Sequence, residues 1–260
     1  MKVIESKIVG KKSQDTCEDG LVVTDDFIAV IDGSTSKTRN RLNPEMKNGR
    51  YAMTLISEYI KNELKADDSL ADFCNGVTAY IHDLVYEPLG IADMLERHPE
   101  ERLTASAIVY SKAENAVWMV GDCQAIVDGI LYENGKPYER QIAERRVELI
   151  KQGMSPAEAR KRIEPQLIAA MLEGQNRQYA VIDGFPIYSD GIKVVDGSSR
   201  EVVLASDGYP FLKPTLEESE AALRIQLARD PQNIYTFIAT KGIVEGNNSF
   251  DDRTYIRFEI

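Results

Sequence analysis

Short apolar runs bounded by Gly, Asp and Asn recur towards both ends of the chain. KVIESKIV, LVVT, FIAVI, ASAIVY, AVWMV, AIVDGILY, YAVI, IKVV, EVVLA, YTFIAT and TYIRFEI are rich in Val, Ile, Tyr, Phe and Thr, and each predicts a β-strand. Between them the apolar period lengthens to that of a helix. From Ala52, residues Leu55, Ile56, Tyr59, Ile60 and Leu64 form one stripe, and after Ser69 the stripe repeats at Leu70, Phe73, Val77, Tyr80, Ile81 and Leu84. SPAE sets Ser155 at an N-cap, Pro156 at N1 and Glu158 at N3, and TLEE does the same with Thr215 and Glu218.

Residues 137–174 are charged and helical, with Pro165 as an interruption and only a thin stripe of Ile142, Leu149, Ile150, Ile163, Leu167, Ile168 and Met171. They predict a helical flap inserted into one domain spanning 1–260. The order of elements lacks the regular strand–helix alternation of a parallel sheet. It predicts an α+β fold of two packed antiparallel sheets with helices on the outside, an α-β-β-α sandwich.

Charge narrows the partners. The 260 residues carry 31 Lys and Arg against 42 Asp and Glu, a formal net charge of −11. No broad cationic field exists to attract nucleic acid or an anionic membrane. The start, MKVIESKIVG, has no h-region, and no apolar run approaches the ~18 residues of a membrane helix. Three scattered cysteines, Cys17, Cys74 and Cys123, read as reduced thiols, so a cytoplasmic chain is expected. Only His82 and His98 are available, which disfavours a histidine-rich zinc site or a Ser-His-Asp triad.

The chemistry gathers at Asp-Gly steps, of which there are seven. Those at Asp128 and Asp196 read as hairpin turns. IAVIDGST and VVLASDGYP differ, since each ends an apolar strand on Asp-Gly, at Asp32 and Asp207, with no obvious return strand. Glu18-Asp19 precedes the first by a hairpin's length, Asp122 sits in a tight turn between strands, and Asp251-Asp252 opens the last strand. Oxygen-only groups of this kind suit hard divalent cations such as Mg²⁺ or Mn²⁺.

In this order, with this spacing and over nearly the whole chain, the acidic pair, VIDG, TASAIVY, VGDCQA, ASDG and DDRT resemble the landmarks of the PP2C-type (PPM) metal-dependent protein phosphatases. The resemblance implies a two-metal site at one edge of a β-sandwich. Asp32 would bridge the metals and the Gly33 carbonyl would bind one of them. Glu18 would complete one metal, Asp207 and Asp251 would hold the other, and Asp122 would offer a third, weaker position. Asp19 would orient the metal-bound waters. Two ions about 3.5–4 Å apart would activate a water for in-line attack on phosphorus. The implied substrates are phosphoserine and phosphothreonine of proteins, with small phosphate esters as the other class.

Phosphate recognition departs from the family pattern. Gln14 stands where a phosphate-binding arginine is usual, and Ser34 where a histidine often follows the Asp-Gly. Lys37, Lys12 and Lys11 are the nearby cations expected to meet the phosphate in their place. Cys123-Gln124 replace Ser-Arg, Phe211 replaces an acidic residue and Asp252 replaces Asn. Two alternatives remain: an ASKHA-type kinase, whose phosphate loop VIDGSTSKT approximates one residue short, and a catalytically inactive PP2C-like binding module.

Overall fold

The computed structural model describes residues 1–197 and 200–260. The first sheet has the order β1 (Lys2–Val9), β10 (Arg253–Glu259), β9 (Glu201–Ala205), β6 (Gln124–Val127), β7 (Ile130–Tyr132). The second has the order β2 (Asp19–Val23), β3 (Phe27–Gly33), β4 (Ala105–Ser111), β5 (Ala116–Val120), β8 (Ile192–Asp196). Every strand pair is antiparallel. The inner faces meet in one apolar layer, with Ile28, Val30, Ile108 and Met119 on one side and Ala125, Leu204, Ile256 and Phe258 on the other.

On the outer face of the second sheet lie α1 (Asn48–Asn62) and α2 (Leu70–Ile81), followed by the short α3 (Glu87–Leu89) and α4 (Ala92–Arg97). Trp118 is fully buried there between Phe27 and Phe73, with ring centroids 6.1 and 5.8 Å away. Its indole N–H donates to Glu114 at 2.9 Å. Truncating it should cost ~3–5 kcal/mol, as for other large core aromatics. Outside the first sheet, α7 (Leu216–Arg229) lies against β1 and β10. The sandwich with helices on both faces is therefore the α+β architecture that the apolar pattern predicts. Among the described residues, no helix is long and apolar enough to cross a membrane.

Between β7 and β8 come α5 (Glu139–Lys151) and α6 (Pro156–Gly174), which pack on each other through Ile142, Leu149, Ala159, Ile163 and Leu167. Ser155 caps α6 with a complete capping box. Pro165 does not interrupt this helix, contrary to expectation. Proline and Lys161, four residues earlier, are both exposed, so the carbonyl that loses its N–H partner faces water.

Three strand or turn expectations fail for a common reason, a local side chain or chain path that the periodicity does not encode. YTFIAT (235–240) is irregular because the Asp230 carboxylate accepts the backbone N–H groups of Ile234, Tyr235 and Thr236, satisfying donors that a strand would have paired. YAVI (179–182) makes only isolated bridges, while Asn176 accepts the Val181 N–H. Asp128 does form a hairpin turn, with positive φ at Asp128 and Gly129. Asp196 does not, since β8 and β9 belong to different sheets, and the chain after Gly197 enters 198–199, outside the described residues.

Candidate active site

One edge of the sandwich gathers the acidic residues. In the β2–β3 hairpin Asp19 lies opposite Asp32, and Asp32 in turn lies opposite Ser106 of β4. The Ser106 hydroxyl donates to Asp122 at 2.5 Å, pinning the β5–β6 turn to the same edge. From the other sheet come Asp207, just beyond β9, and Asp251-Asp252, just before β10. Two glycines permit the approach. A Cβ on Gly33 would strike the carbonyl of Gly49 at the start of α1, and one on Gly208 would strike the carbonyl of Asp252. Asp252 is a positioning residue, accepting the N–H of Lys11 at 2.7 Å and of Glu18 at 3.2 Å. Gln124, where Arg is usual in the resembled family, bonds the carbonyls of Ser206 and Tyr209 and so steadies the Asp207 turn.

The electrostatics of this edge call for cations. Withdrawal from water, then the charges of Asp207, Asp19 and Asp122, push Asp32 well above the usual carboxylate range. Burial pushes Asp19 up to about 7, against the help of the Ser206 hydroxyl and with further repulsion from Asp252 and Asp207. Burial also opposes ionisation of Asp122, but the Lys136 ammonium at 2.5 Å outweighs it and holds that carboxyl below its usual range. Lys11 bonds Asp251 at 3.0 Å and lies 3.7 Å from Glu18, and Lys241 pairs with the other oxygen of Asp251. Among the described residues no three acidic, cysteine or histidine side chains already converge as a coordination shell. Two buried oxygens, Glu18 Oε1 and Asp19 Oδ2, have no hydrogen-bond partner at all. Orphaned carboxylate oxygens within a repelling cluster fit a divalent cation, which would satisfy both the lone pairs and the charge.

The carboxylates form one wall of a cavity of about 760 Å³, and the α5–α6 pair contributes another. Asp32, Gly33, Ser34, Lys37, Asp122, Asp207 and Asp251 all line it. Glu18 and Asp19 sit behind them, buried. Lys12 and Gln14 are exposed and lie outside its walls, and the Gln14 side chain accepts the Gly10 N–H instead. Sequence reading missed Lys136, Lys241, Arg146 and Arg160, which line the cavity and supply the positive charge that Gln14 lacks. Lys37 bonds the Thr35 carbonyl; burial, followed by the charges of Arg160, Lys241 and Lys136, pushes its ammonium down to about 7. Residues 34–47 run into α1 with no return strand, so the loop that prompted the kinase alternative closes no hairpin.

No family model and no curated protein matches the chain. Solved structures do. The serine/threonine phosphatase PstP/Ppp of Mycobacterium tuberculosis is 17% identical over 100% of this chain and 99% of its own, with a TM-score of 0.48. The PPM Ser-Thr phosphatase MsPP of Mycobacterium smegmatis is 16% identical over 100% of both chains, with the same TM-score. The catalytic domain of PstP, in a complex with two manganese ions, is 16% identical over 97% of this chain and 96% of that one, at 0.45. The chain resembles PPM-type phosphatases. At such distance the chemistry has to come from its own side chains.

Proposed function

We propose that this chain is a metal-dependent phosphatase that hydrolyses phosphate monoesters. The observation that carries the reading is the pair of unpartnered buried oxygens, Glu18 Oε1 and Asp19 Oδ2, beside Asp32 and Asp207 at the wall of a cation-lined cavity. Glu18, Asp32, the Gly33 carbonyl, Asp207 and Asp251 would hold two divalent cations, Mg²⁺ or Mn²⁺, with Asp122 as a further, weaker position. When bound, such ions lower the pKa of water and offset negative charge on the phosphate. Asp19 Oδ2 would orient the attacking water by accepting a hydrogen bond from it, and bound cations would hold Asp32 in its ionised form. Lys37, Lys136 and Lys241, with the Ser34 hydroxyl, bind the phosphate oxygens. The α5–α6 pair is the substrate-side flap of one domain, excluding water from the phosphate. A phosphoserine or phosphothreonine carrier is the expectation that the family resemblance supplies. The test is p-nitrophenyl phosphate hydrolysis by one preparation in EDTA, Mg²⁺ and Mn²⁺. Activity restored by either metal and absent in chelator is expected; equal turnover in chelator would exclude the reading.

A further inference from the structure

The α5–α6 side of the cavity holds two guanidinium groups that make no close ion pair with a carboxylate among the described residues, although the charges of Glu164 and Glu139 reach Arg160 and that of Asp230 reaches Arg146. Arg146 of α5 is 1% exposed. Its Nη1 donates to the Gln232 and Ala239 carbonyls at 2.8 and 3.3 Å, and its Nη2 to Gln232 Oε1 at 3.2 Å, all neutral acceptors. Its Nε is buried without any partner. Arg160 of α6 donates to the Thr240 carbonyl at 3.1 Å, and both arginines line the cavity. Among the described residues, neither forms an ion pair with a carboxylate. The two charges act on each other: burial first, then Arg160, pull Arg146 down to about 10.

Buried arginine almost always carries a carboxylate or phosphate, because an unpaired charge taken from water is costly. The lysines Lys136, Lys11 and Lys241 are held at the carboxylate side by Asp122 and Asp251, where they would serve the phosphate being hydrolysed and not a second one. Lys37 lines the same cavity and bonds the Thr35 carbonyl. The cavity is thus bipolar, with a carboxylate end suited to metal and a guanidinium end suited to an anion. Tyr138 and Tyr179, whose rings meet edge to face at 5.4 Å, also line it, with Leu167 and Met171. About 760 Å³ is the size of a small-ligand site.

We infer that the substrate is a small molecule bearing two phosphates, one hydrolysed at the carboxylate end and the other clamped by Arg146 and Arg160. This rests on the phosphatase reading for its reaction, but the clamp itself is a binding claim that stands without turnover. Planar guanidinium forks suit a phosphate better than an ammonium would. A spacer of sugar or nucleoside size fits against the two tyrosines. A phosphorylated protein side chain brings one phosphate and leaves the clamp unpaired.

Two measurements separate the clamp from the reaction. In EDTA, calorimetry with adenosine 5′-monophosphate and with adenosine should show the phosphate raising affinity at least tenfold, since the clamp takes one phosphate and the metal-free carboxylate end takes none. Arg160→Gln should remove most of that difference, and Arg146→Lys, which keeps charge at the buried position, should retain more of it than Arg146→Gln. With Mn²⁺, kcat/KM for the bisphosphate, and for fructose 1,6-bisphosphate, should exceed that for the matching monophosphates, and the ratio should fall towards one in Arg160→Gln. Equal binding of adenosine and its 5′-monophosphate in EDTA would overturn the clamp even if p-nitrophenyl phosphate is hydrolysed. A phosphothreonine peptide turned over faster than every bisphosphate would likewise overturn it. Arginine-dependent binding of the monophosphate without hydrolysis of any ester would support the clamp and overturn only the phosphatase reading.

Discussion

The two walls of the cavity are built on opposite plans. The carboxylate wall stands on strand ends held by the packed sandwich, where Asp19, Asp32 and Ser106 are fixed by ladder register and Asp122 by the hydrogen bond from Ser106. The guanidinium wall stands on a helix pair with a small core of its own, tied to the 232–240 segment by Arg146 and Arg160. Rigid ladders suit groups that must keep charges close against their repulsion. A helix pair attached through a few polar contacts suits a wall that shapes and admits a substrate. The walls should therefore fail differently when changed.

The largest effect is expected at the rigid wall. Asp32→Ala should lower Mn²⁺-dependent turnover by roughly 10³-fold or more, about 4 kcal/mol of barrier. Its far-UV spectrum should match the parent, and its melting temperature in chelator should rise because a repelling charge is gone. Turnover within tenfold of the parent would remove Asp32 from the centre.

Lys37 lines the cavity, and Lys37→Ala should cost about 1.5–3 kcal/mol, or roughly 10- to 150-fold in kcat/KM. Lys12→Ala should stay within about twofold, because Lys12 lies outside the cavity. Steady-state kinetics at fixed Mn²⁺ checks both, and the reverse ranking would move the phosphate to the other side of Asp32.

Protonation separates the walls further. Asp19 has a folded pKa near 7 against an ordinary carboxylate value of 3.8, so the folded metal-free protein takes up a proton that the unfolded chain does not. Stability is then gained as pH falls through 7 and is lost as pH rises through it. Between pH 8 and 6 in chelator, urea denaturation of the parent compared with Asp19→Asn should show a gain of about 1 kcal/mol from this group, a comparison in which the opposite contribution of Lys37, pushed down to about 7, cancels. Saturating Mn²⁺ should abolish or invert the trend, since metal requires the ionised ligands. A parent that gains nothing relative to Asp19→Asn over this range would contradict the assigned repulsion.

The smallest effect belongs to the helix pair. Ser155→Ala removes the α6 capping box and should cost about 1 kcal/mol. Hydrogen exchange should locate the loss in 139–174, leaving β3 and β9 protected. Uniform loss of protection would show that the pair is part of the global core.

The same contrast explains what the sequence could tell. Strand ends carry local marks: an apolar run ending in Asp-Gly gives Asp32 and Asp207 away, and SPAE gives away the start of α6. The arginines carry none. Arg146 and Arg160 sit in stretches that read as solvated helix surface, and only the packing of α5–α6 against 232–240 turns them inward. Lys136 and Lys241 are loop lysines until the fold brings them to Asp122 and Asp251. The strand wrongly expected at 235–240 has a similar cause, because one carboxylate, Asp230, takes over its backbone donors. Period and propensity do not register a single side chain used in that way.

The central claim is that the carboxylate wall holds divalent metal. Calorimetric titration of Mn²⁺ into chelator-stripped protein tests it most directly, with Asp32→Ala and Asp207→Ala alongside. The account predicts at least two ions bound per parent chain and a loss of that binding in both variants. A parent chain that takes up no Mn²⁺, or variants that bind it as the parent does, would contradict it.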